Sequence, residues 1–74
     1  MTPYTGKLKI GDLVSRTIKS PIDKNLADKT GYLGLVVSRR MAGNPLHPTV
    51  DVWWMKSGRT YSNGESLVEI ACTK

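Results

Sequence analysis

The sequence contains very few of the residues from which metal sites and nucleophilic centres are built. It has one cysteine, Cys72, and one histidine, His47, in 74 residues. A metal site needs several Cys, His or carboxylate ligands that converge on one point, and a nucleophile needs a base and an orienting group. The carboxylates show no spacing that indicates an acid–base pair. We therefore expect no catalytic residue, no bound metal and no cofactor.

Disulfides and membrane spans are not expected either. One cysteine cannot form an intrachain disulfide, so a reducing compartment is the simpler expectation. No segment approaches the ~18 apolar residues of a membrane span, and residues 1–6 contain no apolar signal core. The chain is long enough for one domain only, and its core is too small to surround a large substrate cavity. These absences predict a binding protein without membrane attachment, not an enzyme.

Positive charge exceeds negative charge in this sequence. Eleven Lys and Arg against six Asp and Glu give a net charge of +5. A basic surface favours acidic partners, namely nucleic acid, an anionic membrane face or an acidic protein. The basic residues are spread along the chain, and only Arg39 and Arg40 are adjacent. This scatter is typical of a solvated surface, and a nucleic-acid face is the alternative.

Short alternating apolar segments, interrupted by Gly, Pro and Asn, predict an all-β fold. The predicted strands are 13–18, 31–39, 49–55, 59–62 and 67–70. Between the first two strands, the polar segment Ile22–Lys29 is bounded by Pro21 and Gly31. This segment could form one helical turn, but we predict a long loop. Closing the five strands into a small antiparallel barrel would remove the exposed edges of the sheet.

The predicted domain organisation is simple, because the chain shows no internal repeat, linker or low-complexity segment. Residues 9–70 form the barrel, residues 1–8 an irregular N-terminal arm, and residues 71–74 a C-terminal tail. Segments of this kind often become ordered on a partner, and we expect the same of the arm and the tail.

Alternation within the strands predicts which side chains share a face. In the strand 49–55, Asp51 marks the wet face, which puts Trp53 at or near the surface. The opposite face is predicted to be buried and consists of Val50, Val52 and Trp54. In the strand 31–39, one face carries Leu33, Leu35 and Val37, and the other carries Tyr32, Gly34 and Val36. Gly34 inside a strand predicts a bulge or strong coiling.

A series of short motifs follows the predicted strands. The motifs are Gly11-Asp12-Leu13-Val14, Gly34-Leu35-Val36-Val37, Val50-Asp51-Val52-Trp53-Trp54, Ser57-Gly58 followed by Tyr61, and Leu67-Val68-Glu69-Ile70. In this order they resemble the SH3-like barrels of the KOW and Tudor type. More narrowly, the chain is similar to the short basic SH3-like proteins encoded by tailed bacteriophages. The resemblance covers roughly residues 8–70 and lies in core and turn positions.

This resemblance implies both a fold and a role. The fold would be an all-β, five-stranded SH3-like antiparallel barrel with a long loop after the first strand. The role would be that of a structural virion protein, such as a decoration or joint protein of the head, neck or tail. Such a protein docks in multiple copies on a larger protein assembly. Its expected location is the virion, which is assembled in the host cytoplasm.

Exposed aromatic and basic side chains are the candidate partner-binding residues, because they offer large contact area and charge. Trp53 is the leading candidate, since its neighbour on the wet face is Asp51. Tyr61, on the short return strand, is predicted to lie beside it. The complete candidate set is Trp53, Tyr61, Lys56, Arg59, Arg39, Arg40 and Tyr4.

Two other functions remain open at this stage. A KOW- or Tudor-like nucleic-acid-binding domain would stack bases on these aromatics and meet phosphates with the basic side chains. The sequence lacks a concentrated basic loop around the first turn, which disfavours that function. The remaining alternative is an accessory subunit of an enzyme complex.

Overall fold

The computed structural model describes residues 3–71. Its strands are β1 Leu13–Arg16, β2 Leu33–Ala42, β3 His47–Trp54, β4 Arg59–Gly64 and β5 Val68–Ile70; helix α1 spans Pro21–Thr30 and a 3₁₀ turn spans Glu65–Leu67. Neighbouring strands are antiparallel, in the order β4-β3-β2-β1-β5. The protein is mostly sheet, as predicted. The expectations for Cys72 and the rest of the tail beyond Ala71 lie outside the described residues, as does the start of the arm.

The sheet is open, which corrects the prediction of a closed barrel. Strands β4 and β5 are its two edges, and no ladder joins them within residues 3–71. The 3₁₀ turn carries the chain from one edge to the other without adding a strand. Strand β5 has three residues and pairs with β1. A strand this short provides little backbone for a second ladder, so the edges stay separate.

Helix α1 replaces the long loop predicted at Ile22–Lys29. Ser20 Oγ accepts a hydrogen bond of 3.3 Å from the backbone N–H three residues further on, which caps the helix. Pro21 lies in the first turn, where no backbone donor is needed, and Gly31 ends the helix with a φ of 102°. Two of the ten helical residues are buried. The prediction was wrong because a helix this polar has no apolar stripe, and only its ends mark it in the sequence.

The core lies on one side of the sheet, here called the inner face. Its centre consists of side chains with at most 1% exposure: Val14, Val36, Val50, Val52 and Trp54. Leu8 and Val68 complete the cluster. The alternation in the third strand therefore predicted the buried face of β3 correctly.

Gly34 on β2 lies directly opposite Trp54 on β3. A Cβ atom at Gly34 would lie 2.9 Å from Cε3 of the Trp54 ring and 3.0 Å from the carbonyl oxygen of Trp53. Both distances are too short for carbon in a close-packed interior. The nearest atom of all is Cγ1 of Val52, so the Val52 side chain and the Trp54 ring together occupy the space that a side chain at position 34 would need.

A bulge or strong coiling was expected at Gly34; the bulge in β2 lies at Val37 instead. Val36 pairs with Val52, and Ser38 pairs with Asp51. Val37 is therefore the extra residue on its strand. A bulge of this kind bends its strand and increases the local twist.

The N-terminal arm is irregular, as predicted, but residues 3–8 are attached to the domain. Leu8 is 4% exposed and belongs to the core. Glu65 accepts hydrogen bonds from the backbone N–H groups of Lys7 (2.8 and 2.9 Å) and Leu8 (3.2 Å), and from the Tyr4 hydroxyl. Burial alone would raise the pKa of Glu65, but these hydrogen bonds lower it overall. Burial and the bond to Glu65 raise the pKa of Tyr4 to about 12.

Candidate functional site

The side of the sheet opposite the core, here called the outer face, carries a row of apolar side chains. Leu13 on β1 lies opposite Leu35 on β2, and Leu35 lies opposite Trp53 on β3. Trp53 in turn lies opposite Thr60 on β4. Directly opposed residues of antiparallel strands project to the same side of the sheet and contact each other. A continuous row therefore crosses four strands, and three of its members are apolar.

Leu33 and Met55 extend this row toward one end of the outer face. The backbone N–H of Met55 donates a hydrogen bond of 3.1 Å to the carbonyl oxygen of Leu33, which keeps the two residues adjacent. Their side chains are 43% and 47% exposed, and that of Trp53 is 38% exposed. Within residues 3–71, the arm packs on the inner face through Leu8. Helix α1 also lies on that face, where Thr30 accepts a hydrogen bond from Arg16. Leu13 and Leu35, in the middle of the row, are half-buried.

A cavity of about 250 Å³ lies at the Leu33–Met55 end of the outer face. Its lining consists of Gly31, Tyr32, Leu33, Met55 and Lys56. Two hydrogen bonds to Asp28 hold its wall: Lys56 Nζ donates to the carbonyl oxygen (2.5 Å), and the Tyr32 hydroxyl donates to Oδ1 (2.6 Å). The bond to the carboxylate raises the pKa of Tyr32. The cavity has the size and lining to receive one apolar side chain of a partner.

Trp53 and Tyr61 lie on opposite faces of the sheet, which corrects the prediction that they lie side by side. Trp53 pairs with Thr60, whereas Tyr61 pairs with the buried Val52. Arg59 pairs with Trp54, in the same alternation as Tyr61. Of the candidate residues in this hairpin, Lys56 lines the cavity on the outer face, where Trp53 also lies. Tyr61 and Arg59 lie on the opposite face.

Arg39 and Arg40 also project to opposite sides of β2. Arg40 forms an ion pair of 2.8 Å with Asp51 and donates a second hydrogen bond, of 2.9 Å, to Ser62 Oγ. Arg39 lies on the other side, with its guanidinium carbon 5.3 Å from the centre of the Tyr4 ring. The only adjacent pair of basic residues thus forms no single cationic surface, and its members have intramolecular contacts.

The outer-face residues that sequence reasoning missed as site residues are Leu13, Leu33, Leu35 and Met55. The alternation placed Leu33 and Leu35 on one face, and it placed Met55 on the face of Trp53. Alternation does not give the register between strands, which puts Leu35 opposite Trp53. Register depends on the whole hydrogen-bonded sheet, so a single strand does not reveal it.

Comparison with known proteins adds no relative: no protein-family model, no curated protein and no solved structure matches this chain. Within residues 3–71, no helix has the length and apolar character needed to cross a membrane. In the same part of the chain, no three His, Cys, Asp or Glu side chains are grouped where they could hold a metal ion. The function must therefore be inferred from the geometry of the surface.

Proposed function

We propose that this protein is a non-enzymatic docking module whose outer face binds an apolar surface on a larger protein assembly. The observation that supports this function is the apolar row on the outer face, in which Leu33, Trp53 and Met55 are exposed and Leu13 and Leu35 are half-buried. Contiguous exposed apolar side chains on one face often mark a site of protein interaction. A half-exposed tryptophan beside a small apolar cavity is a typical anchor of a protein interface.

The partner in this proposal is a protein with acidic residues around its own apolar surface. The chain carries a net charge of +5, and Lys56 borders the cavity at the end of the outer face. Complementary charge at the rim of an interface speeds association and fixes orientation, while the apolar centre supplies most of the affinity.

The resemblance described above extends this proposal to a particular assembly. We infer that the assembly is the virion of a tailed bacteriophage, with this protein as an SH3-like decoration or joint component of its head, neck or tail. The motif order supports that assignment, as do the five antiparallel strands. Mass spectrometry of particles purified from the cells that produce the protein tests it directly. Recovery of the protein in stoichiometric amounts is expected, and its absence from the particles would contradict the virion role.

Salt dependence separates docking from the nucleic-acid alternative. Binding to phosphates would fall steeply with salt, with a log–log slope of about −0.7 to −0.9 for each phosphate contact. Binding through the outer face should show a much shallower slope, because apolar burial is insensitive to moderate salt. The experiment measures the affinity of the protein for the purified assembly, and for single- and double-stranded DNA, between low and physiological salt. Tight, steeply salt-dependent binding to DNA alone would favour the alternative.

A further inference from the structure

Arg16 on β1 is buried on the inner face without a carboxylate partner. Its side chain is 8% exposed. Nη2 donates a hydrogen bond of 3.0 Å to Thr30 Oγ1, and Nη1 makes a long one, 3.4 Å, to Asn63 Oδ1. The guanidinium carbon lies 4.2 Å from the centre of the Trp54 ring. The Nε–H group is fully enclosed and has no hydrogen-bond partner among the described residues.

This environment is unusual for a charged group. Arginine has five N–H donors and stays protonated in proteins, and its burial without a counter-ion is costly. Here the partners are two neutral oxygens and an aromatic ring. Burial lowers the pKa of Arg16, and the negative charge of Asp23 raises it in part. Among the described residues, the Asp23 carboxylate accepts a hydrogen bond from the backbone of Lys19 and none from the guanidinium. The charge of Arg16 is therefore incompletely compensated within residues 3–71.

A cavity of about 320 Å³ opens beside this guanidinium. Arg16, Thr30 and Asn63 form its buried end, while Leu26, Lys29 and Tyr61 are exposed and form its outer end. The lining contains two cationic side chains and no carboxylate. The cavity near the arm differs in this respect, because Glu65 and Glu69 line it beside Lys7. Of these two cavities, the one at Arg16 has the charge to accept an anion.

We propose that the cavity at Arg16 binds an oxyanion, a carboxylate or phosphate group whose oxygens accept hydrogen bonds from the Arg16 guanidinium and the Lys29 ammonium. A planar guanidinium suits both groups, since each offers two oxygens at matching separation. Leu26 and Tyr61 add apolar surface at the outer end, which suits an anion carried on an organic body. The site lies on the inner face and does not depend on the outer-face docking function.

Nuclear magnetic resonance tests this binding through the Arg16 Nε–H signal, which the burial of that group should protect from solvent exchange. We expect inorganic phosphate, benzoate or both to shift this signal in a saturable way. A response to phosphate alone identifies a phosphate site, and a stronger response to benzoate identifies a carboxylate on an apolar body. No saturable shift with either probe would overturn the proposal.

Two lysines on the same helix provide a matched pair of variants. Lys29 lines the cavity, whereas Lys24 is exposed elsewhere on α1. Both Lys29→Gln and Lys24→Gln remove one exposed charge and should fold normally. We expect Lys29→Gln to weaken binding about two- to fivefold, the range for a partly exposed ion pair, and Lys24→Gln to leave it unchanged. Equal weakening in the two variants would mean non-specific attraction and would overturn the proposal.

Discussion

Leu35 on β2 lies directly opposite Trp53 on β3, on the outer face of the sheet. The next pair along the two strands, Gly34 and Trp54, lies on the buried side. Two adjacent tryptophans therefore have opposite roles, since one completes the core and the other is exposed to solvent and available to a partner. This division leads to different expectations for the two side chains.

The first prediction concerns the stability of the two tryptophan variants. Trp53→Ala should reduce the free energy of unfolding by about 1–2 kcal/mol, because its side chain is 38% exposed and only partly packed on the sheet. Trp54→Ala should cost about 3–5 kcal/mol, because it empties the centre of the core. Urea unfolding followed by circular dichroism measures both values. Equal losses would show that Trp53 is a core residue and would contradict its assignment to the docking surface.

Gly34→Ala provides a second prediction. The added Cβ would lie 2.9 Å from Trp54 Cε3, and overpacking of this kind typically costs about 1–3 kcal/mol. Gly64→Ala is the matched control, because its nearest neighbours would be 3.9 Å away and its φ is −60°. The control should change the urea midpoint little. A Gly34→Ala protein as stable as the control would mean that packing of Val52 and Trp54 does not require a glycine at this position.

A third prediction follows from the hydrogen bonds that Glu65 accepts from the arm. The folded protein holds the pKa of Glu65 below its ordinary value of 4.5. Ionised Glu65 therefore contributes its full stabilisation above that value, and the contribution is lost as the pH falls through the folded-state pKa. Wild type should be more stable than Glu65→Gln at pH 7, and the difference should shrink as the pH falls below 4.5. Glu69→Gln removes the same charge from the same cavity but none of these hydrogen bonds, and should cost less stability at pH 7 than Glu65→Gln.

Tyr4 gives the corresponding prediction at high pH. Its pKa is raised to about 12, above the ordinary value of 10.0, by burial and by the bond to Glu65. The stabilisation that this shift represents is fully present below pH 10 and is lost as the pH rises toward 12. An ultraviolet titration of tyrosinate should contain a late component that is missing from Tyr4→Phe. If the variant titrates like wild type, Tyr4 is not in the environment described here.

Deletion of the arm is the fifth test, and the structure changes what we expect from it. The sequence predicted that the arm becomes ordered on a partner, but Leu8 is buried in the core of the isolated chain. Deletion of residues 1–8 should therefore cost about 2 kcal/mol or more of folding stability, as for loss of other buried leucines. Deletion of residues 1–3 keeps Tyr4 and Leu8 and should cost little. A stable protein lacking residues 1–8 would show that the arm is dispensable for the fold.

Alternation in the sequence predicted the strands and the buried face of β3, because period-two burial is a local property of one strand. It did not reveal α1, whose polar residues carry no apolar stripe. It also did not reveal the burial of Arg16. This charged residue shares a strand face with Val14 and lies buried beside Trp54. That burial depends on α1 and on Asn63 of β4, which are distant in the sequence.

The residues that surround Trp53 in the candidate site could not be predicted for a related reason. Trp53 could be identified, because Asp51 marks its side of β3. The partners of Trp53 could not, because the register of β2 against β3 is set by the sheet as a whole and includes the bulge at Val37. For the same reason, Tyr61 was placed beside Trp53 although one residue of register moves it to the other face.

The affinity of paired variants for the purified assembly tests the docking function most directly. Trp53→Ala removes an aromatic side chain from the outer face, and Tyr61→Ala removes one of similar exposure, 41% against 38%, from the opposite face. We expect Trp53→Ala to weaken co-sedimentation with the assembly about tenfold or more, as loss of an interface anchor does, and Tyr61→Ala to leave it nearly unchanged. Equal binding of wild type and Trp53→Ala, or a larger loss in Tyr61→Ala, would contradict docking through the outer face.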